Sequence, residues 1–221
     1  MKLTLYYAPI ACSLVPLVTL YEAGAQFEVK PISLKDGDQK SAEYLRLNPK
    51  SKVPVLVIDG EPLTENVAIL SFIASAFPEK NLLPAEPKDW IKALSLMGWC
   101  SSGMHPPLTR IFYPARFCDA PGSEENTRRI AVEEVVKNFK IADGLLAGRE
   151  WLFGHWTAVD AYFFWVWRRF SFHRAEIPSF PNYAAHAERI MKRDSMQRAL
   201  AFEREVLERF AKAAQAPGLT A

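Results

Sequence analysis

Residues Lys52–Ile69 read KVPVLVIDGEPLTENVAI and combine an apolar run, a turn signal and a polar helix start. Its apolar run Val53–Ile58 is short and rich in β-branched residues, which is typical of a buried strand. Asp59-Gly60 is a strong signal for a hairpin turn, and a second short strand follows it. Glu65 and Asn66 then stand at the start of an apolar helix, where free backbone N–H groups favour anions. The segment therefore predicts a β-hairpin leading into a helix, with a site for a small, carboxylate-bearing ligand.

The residues on either side extend this segment into a small mixed sheet covered by helices. A strand, a helix and a second strand within about 30 residues form a βαβ unit with a right-handed crossover. The order β-α-β-α-β-β-α predicts an α/β domain over residues 1–78. The predicted strands are Lys2–Tyr7 and Phe27–Ile32, together with the hairpin. The predicted helices are one that Cys12 and Ser13 open and that runs to Glu22 or Ala23, then Ser41–Leu47 and Asn66–Ala76.

The remainder of the chain is predicted to be helical. Residues 79–88 contain two prolines and little periodicity, so they are predicted to form a linker to an all-helical domain over residues 89–221. Thr157 and Asp160 make a cap-like pair at the start of a strongly apolar helix, expected to be the buried centre of that domain. The predicted helices are Trp90–Phe117, interrupted near Gly103 and Pro106-Pro107, then Ser123–Leu146 with Ser123 as N-cap, Thr157–Phe172, Pro181–Arg193 and Ser195–Lys212, before a frayed end at residues 217–221.

Composition excludes several classes of protein. The 221 residues are 49% hydrophobic with a net charge of +2, so the chain can bury a core and its charge does not indicate nucleic-acid binding. Three cysteines form no disulfide framework and fit a reducing cytoplasm. No signal peptide is expected from the N-terminal residues, and no run approaches the roughly 20 apolar residues of a membrane span. His155, His173 and His186 lack metal-ligand spacing, so no metal is predicted.

Five motifs follow one another along the chain: YAPIACS at 7–13, NPKSKVP at 48–54, LTENVAI at 63–69, TAVDAY at 157–162 and FPNY at 180–183. In this order and spacing they resemble the cytosolic glutathione S-transferases. Ala11-Cys12-Ser13 is similar to the bacterial beta class, whose members carry a cysteine where other classes have a catalytic tyrosine or serine. The resemblance implies a thioredoxin-like domain followed by an all-helical domain, usually in a homodimer.

The resemblance also implies a glutathione site in the first domain. Pro54 matches the cis-proline of the family, and the main chain of Val53 is expected to bind the cysteinyl part of glutathione. Glu65 is expected to pair with the γ-glutamyl ammonium, while Asn66 and the helix N–H groups take its carboxylate. Lys52 and Lys35 are the candidates for the glycine carboxylate. The family more often has serine at the position of Asn66, and asparagine retains the ability to donate.

Several residues are candidates for the group that contacts the thiol of glutathione. Cys12 is expected at a helix start, where the pKa of its thiol is expected to fall, so that it hydrogen-bonds to the glutathione sulfur or forms a mixed disulfide with it. Tyr7 and Ser13 are alternative hydroxyl donors. His105 corresponds to a histidine that beta-class enzymes place facing the thiol. Two residues depart from the family here: proline follows His105 where lysine is frequent, and glycine stands seven residues before it where asparagine is expected.

The implied function is conjugation of glutathione, as co-substrate, to small and mostly apolar electrophiles, a detoxification chemistry, with the electrophile held by the helical domain. Two alternatives remain open. In the first alternative, the protein is a glutathione-dependent thiol-disulfide oxidoreductase or thioether lyase, and Cys12 is its nucleophile. The second is a non-catalytic protein that uses the fold for binding, which the presence of Val53-Pro54 and Glu65-Asn66 argues against.

Overall fold

The computed structural model describes residues 1–173 and 177–215. Contacts divide the chain into two compact units. The first contains Met1–Ile73 and the described residues from Arg193 onward, and the second contains Ala74–Lys192.

A four-stranded sheet forms the centre of the first unit. The strand order is β2-β1-β3-β4, with β1 and β2 parallel and the other two pairs antiparallel. This is the predicted thioredoxin-like arrangement β-α-β-α-β-β-α. The elements are β1 (Leu3–Tyr7), α1 (Leu14–Ala23), β2 (Glu28–Pro31), α2 (Ala42–Leu47), β3 (Val55–Ile58), β4 (Glu61–Thr64) and α3 (Asn66–Ala76), with a 3₁₀ turn at Asp38–Lys40.

The hairpin β3–β4 follows from its turn residues. Asp59 and Gly60 both have positive φ, 48° and 100°, which is the requirement of the tight turn that matches strand twist. Val55 then pairs with Thr64, so β4 ends immediately before Glu65 and the start of α3. The register of the hairpin thereby places Glu65 and Asn66 directly after the end of β4.

Helix α1 begins two residues later than the earliest start predicted from the sequence. It runs from Leu14, and Cys12 lies in the preceding loop. Pro16 is the third helical residue, where a missing N–H costs no intrahelical bond. Gly24, with φ of 65°, ends the helix in the left-handed conformation that glycine adopts without strain.

The second unit is helical. Its helices are α4 (Pro87–Trp99), α5 (His105–Phe112), α6 (Ser123–Leu146), α7 (Ala158–Ser171) and α8 (Pro181–Met191), with 3₁₀ turns at Pro78–Lys80 and Pro114–Arg116. Part of the predicted linker 79–88 therefore belongs to regular structure, since α4 already begins at Pro87. Gly122, with φ of 77°, occupies the N-cap position of α6, and Ser123 is its first helical residue. The prediction of Ser123 as N-cap was therefore one residue late.

A π-helical turn, Cys100–Met104, separates α4 from α5. A side chain at Gly103 would meet the Trp99 ring at 2.6 Å, so the turn needs glycine at this point. The amide of Asn138 on α6 spans the turn: it accepts from Trp99 Nε1 and donates to the Gly103 carbonyl, both at 3.2 Å. The predicted interruption near Gly103 is confirmed, and it has this specific form.

Helix α7 is the buried centre of the second unit, as predicted. The Asp160 carboxylate accepts from the Thr157 backbone N–H and hydroxyl, both at 2.8 Å, which confirms the cap-like pair. Asp160, Phe163 and Trp165 are almost completely buried. The helix therefore has a buried apolar surface, and the polar groups at its N-terminus are hydrogen-bonded.

The last described helix, α9 (Asp194–Gln215), groups with the first unit. Arg193 donates to both carboxylate oxygens of Glu22 on α1, at 2.7 and 2.9 Å, and Ser195 Oγ donates to the same carboxylate at 2.5 Å. The sequence placed all of residues 89–221 in one helical domain, and these contacts divide the chain differently. The predicted frayed end at 217–221 lies outside the described residues. Across the described part of the chain, no helix combines the length and the apolar character needed to cross a bilayer.

Candidate active site

Four of the predicted site residues meet in the first unit. The Cys12 thiol lies 3.5 Å from the carbonyl oxygen of Val53, to which it donates, and the Val53-Pro54 peptide bond is cis. The Asn66 amide donates to the Cys12 carbonyl at 3.1 Å. The β1–α1 loop, the segment before β3 and the start of α3 therefore converge at Cys12.

Asn66 stands at the first position of α3 and is 5% exposed. With its nitrogen bonded to Cys12, its side-chain oxygen Oδ1 is buried without a hydrogen-bond partner among the described residues. Buried polar atoms without a partner are uncommon in folded proteins. Asn66 thus links the cysteine loop to a helix start that offers free N–H groups.

Glu65 adopts a left-handed backbone conformation, with φ of 70°. A non-glycine residue in this region is strained, and such strain is concentrated at functional sites. The Glu65 side chain is 66% exposed and contacts the Lys50 ammonium, which also donates to Thr64 Oγ1 at 2.9 Å. An ammonium group of this chain therefore occupies the place predicted for the ligand ammonium. Lys50 lies within the 48–54 motif, but nothing in the sequence pattern indicates its contact with Glu65.

The two candidate lysines differ in their relation to the site. The backbone carbonyl of Lys52 accepts from the Tyr44 hydroxyl at 2.7 Å and from the Asn48 amide at 2.8 Å, which fixes the segment just before Val53. Its charge acts on Cys12, because it opposes the rise of the Cys12 pKa. Lys35 is exposed between β2 and the 3₁₀ turn, and no hydrogen bond or ion pair in the described chain joins it to the other candidates.

The pKa of the Cys12 thiol is raised from 9.0 to about 12, and the main cause is burial. The Glu65 carboxylate raises it further, while a backbone hydrogen bond and Lys52 lower it. The prediction of a lowered pKa is therefore wrong for the protein without ligand. Cys12 precedes the helix rather than beginning it, and it is only 8% exposed, so desolvation outweighs the helix dipole.

This raised pKa predicts slow labelling of Cys12 by iodoacetamide at neutral pH. Because the thiolate is the reacting form, the rate is expected to rise about tenfold per pH unit up to about pH 10, without a plateau. Cys118 is exposed and a hydrogen bond with Ser123 lowers its pKa, so the measurement uses the Cys118→Ser variant and mass spectrometry. A plateau near pH 7 would show that Cys12 is instead a thiolate at neutral pH.

The hydroxyls of Tyr7 and Ser13, the two alternative donors, both make hydrogen bonds within the first unit. Tyr7 is fully buried, and its hydroxyl donates to the Glu203 carboxylate on α9 at 3.0 Å. Ser13 Oγ donates to the Ala8 carbonyl at 2.9 Å and accepts from the Ala8 N–H at 3.1 Å. The Tyr7 hydroxyl thus joins α9 to the end of β1, and that of Ser13 closes the β1–α1 loop. A catalytic role for Tyr7 stays a prediction.

Comparison with known proteins identifies the family. Residues 1–75 match the family described as Glutathione S-transferase, N-terminal domain. Glutathione S-transferase GstA of Escherichia coli O157:H7 is 31% identical over 203 residues, a match that covers 90% of this chain and 98% of that protein. The chain belongs to the glutathione S-transferase family. Among solved structures, a sphingomonad glutathione S-transferase complexed with glutathione is 32% identical, with a TM-score of 0.80 and coverage of 92% of this chain and 98% of that one.

Beta-class transferases are among the structural relatives. The structure described as a bacterial beta class glutathione S-transferase of Sphingomonas chungbukensis is 30% identical, with a TM-score of 0.78 over 92% of this chain and 98% of that one. This agrees with the resemblance of Ala11-Cys12-Ser13 to that class.

His105 belongs to the second unit of this transferase. It is the first residue of α5, half-buried, and its ring meets the Trp165 ring edge-on with centroids 4.6 Å apart. Pro106 follows within the first turn of α5, where its missing N–H is tolerated. A Cβ at Gly98, where asparagine is expected, would meet no atom within 4 Å.

No group of three or more metal-ligating side chains occurs within residues 1–173 and 177–215. His186 instead pairs with Asp160 at 2.9 Å, and both side chains are completely buried. His173 packs against Phe112 and Phe170. His186 therefore belongs to the core of the second unit, while His173 is half-buried beside two phenylalanine rings.

Proposed function

We propose that this transferase ionises the thiol of glutathione and conjugates it to small, mostly apolar electrophiles. The observation that carries the proposal is the convergence of the Cys12 thiol, the Val53 carbonyl and the Asn66 amide, with Glu65 at the adjoining end of β4. These groups supply a thiol, main-chain hydrogen bonds and a carboxylate next to a helix start, which match the parts of a γ-glutamyl peptide.

The proposed roles follow the chemistry of each group. Val53, beside Pro54, offers main-chain hydrogen bonds to the cysteinyl residue. Glu65 takes the γ-glutamyl ammonium, and the N–H groups of α3, with the second N–H of the Asn66 amide, take the neighbouring carboxylate. Lys52 and, from the exposed loop, Lys35 are proposed for the glycine carboxylate. His105 is retained as a proposed residue for the reaction with the second substrate.

The raised pKa of Cys12 favours a donor role over a nucleophilic one. A thiol that remains protonated at neutral pH donates a hydrogen bond, and a donor stabilises the thiolate of glutathione and so lowers its pKa. The same protonation disfavours attack by Cys12 on a disulfide or thioether, since the thiolate is the nucleophile. The oxidoreductase or lyase alternative is therefore the second candidate.

The test compares turnover of a chlorinated nitroarene with glutathione by wild type, Cys12→Ala and Cys12→Ser. We expect conjugation by wild type, a loss of about tenfold in kcat/KM for Cys12→Ala and partial rescue by Cys12→Ser, whose hydroxyl still donates. Cys118→Ala, at an exposed site, is the control. Conjugation unchanged in Cys12→Ala would remove Cys12 as the activating donor and bring His105 forward. Disulfide reduction that is lost in both Cys12 variants, without conjugation, would establish the second candidate.

Lys50 is expected to compete with the ligand ammonium for Glu65. Both side chains are largely exposed, at 49% and 66%, so the ion pair is weak and a ligand displaces it readily. Lys50→Met is therefore expected to tighten glutathione binding by about twofold to threefold in a calorimetric titration. Lys80→Met, on an exposed lysine of the second unit, serves as the charge control. Weaker binding by Lys50→Met would mean that Lys50 binds the ligand itself.

We also propose that the protein is a cytoplasmic homodimer active in detoxification. Cys12, Cys100 and Cys118 are all free thiols, which suits a reducing compartment. Light scattering at a few micromolar protein is expected to give twice the 25.0 kDa mass of one chain. A monomer under those conditions would exclude the homodimer.

A further inference from the structure

Glu203 is a buried carboxylate that binds the end of β1 and the β1–α1 loop, which contains Cys12. It is on α9 and only 2% exposed. Its Oε2 atom accepts from the Ile10 backbone N–H at 2.7 Å and from the Tyr7 hydroxyl at 3.0 Å. A buried carboxylate must be compensated by such bonds, and bonds to a charged acceptor are among the stronger ones in proteins.

The loop that Glu203 holds is strained. Ile10 has φ of 66°, a conformation that a β-branched residue adopts rarely. Residues on both sides are tied down, since Ser13 bonds to Ala8 in both directions and the Ala11 N–H donates to the Ala8 carbonyl at 3.3 Å. Strain of this kind persists only where surrounding bonds impose it.

We propose that Glu203 is a positioning residue for Cys12. By holding the Ile10 N–H, its carboxylate keeps Ile10 left-handed and the β1–α1 loop closed. The loop in turn places the Cys12 thiol on the Val53 carbonyl and the Cys12 carbonyl on Asn66. Glu203 acts through the loop and not on the reacting atoms. The inference rests on the proposed function, because the position of the Cys12 thiol matters for catalysis only if Cys12 acts on glutathione. The effect of Glu203 on that position is testable separately by labelling of Cys12.

A second attachment of α9 supplies a matched control. Glu22 on α1 binds Arg193 and Ser195 at the start of α9, and none of these three residues belongs to the β1–α1 loop. Glu22→Ala removes a half-buried carboxylate that also attaches the α9 region to the first unit, but it leaves Ile10 bonded to Glu203. A purely structural role for Glu203 predicts equal behaviour of the two alanine variants.

The experiment measures iodoacetamide labelling of Cys12 and calorimetric binding of glutathione in the Cys118→Ser background. Cys100, fully buried in the second unit, is read in the same mass spectra and reports global unfolding. For Glu203→Ala we expect Cys12 labelling to accelerate about tenfold relative to Cys100, and glutathione affinity to fall about tenfold, because the substitution removes the carboxylate to which the Ile10 N–H donates. Glu203→Gln, which keeps an acceptor oxygen, is expected to stay within about threefold of wild type.

Two further variants keep the inference testable if Glu203→Ala does not fold. Tyr7→Phe removes one donor and leaves the Ile10 bond, so it is expected to change Cys12 labelling by less than about twofold. Glu22→Ala is expected to lower the melting temperature with Cys12 labelling unchanged. Equal acceleration in Glu22→Ala and the Glu203 variants, or acceleration for Tyr7→Phe as large as for a Glu203 variant, would overturn the positioning role. If wild type does not bind glutathione, the proposed function fails, while the labelling comparison still decides the role of Glu203.

Discussion

Glu65→Gln is expected to weaken glutathione binding by about 30- to 100-fold, with little change in the stability of the protein. A hydrogen bond to a charged group contributes about 1.5–3 kcal/mol, and the neutral amide loses the attraction to the γ-glutamyl ammonium. The Glu65 side chain is 66% exposed without ligand, so the fold itself depends little on its charge. Calorimetric titration gives the affinity, and thermal unfolding without ligand gives the stability.

Glu61→Gln is the matched control for this prediction. Glu61 is exposed on the same short strand, β4, and the substitution removes the same charge. Its affinity for glutathione is expected to remain that of wild type. A loss of less than about threefold for Glu65→Gln, or an equal loss for Glu61→Gln, would show that Glu65 does not bind the ligand ammonium.

Asp160→Ala is expected to have the largest effect on stability. This completely buried carboxylate accepts from the Leu152 N–H at 3.1 Å and from His186 Nε2 at 2.9 Å, in addition to both donors of Thr157. Alanine leaves all of these donors buried without an acceptor. We expect a loss of about 3–5 kcal/mol in the free energy of unfolding and a fall of about 10 °C in the melting temperature.

Thermal unfolding followed by circular dichroism measures this effect. Asp119→Ala, at an exposed aspartate, makes the same chemical change and is expected to alter the melting temperature by less than about 2 °C. Because Asp160 lies in the second unit, glutathione affinity of the folded Asp160 variant is expected to persist. A melting temperature equal to that of wild type would contradict the importance of the cap for α7.

Local signals predicted most of the fold. Asp59-Gly60 sets the hairpin because its conformation is decided by two neighbouring residues, and Gly24 ends α1 for a similar reason. Thr157 and Asp160 lie three residues apart, so their cap was readable from spacing alone. In each case the interacting residues are close in the sequence.

Features made by distant residues were not predictable in this way. The grouping of α9 with the first unit depends on Glu22 with Arg193 and on Tyr7 with Glu203, pairs separated by more than 170 residues. The raised pKa of Cys12 depends on burial, which tertiary packing determines and which reversed the effect expected from a helix start. The contact of Lys50 with Glu65 likewise requires the three-dimensional arrangement.

The most direct test of the central claim is a calorimetric titration of wild type with glutathione and, separately, with the dipeptide cysteinylglycine. The dipeptide keeps the thiol and the glycine carboxylate but lacks the γ-glutamyl group that Glu65 and Asn66 are proposed to hold. We expect binding of glutathione and at least about tenfold weaker binding of the dipeptide. Equal affinity for the two, or no binding of glutathione, would contradict it.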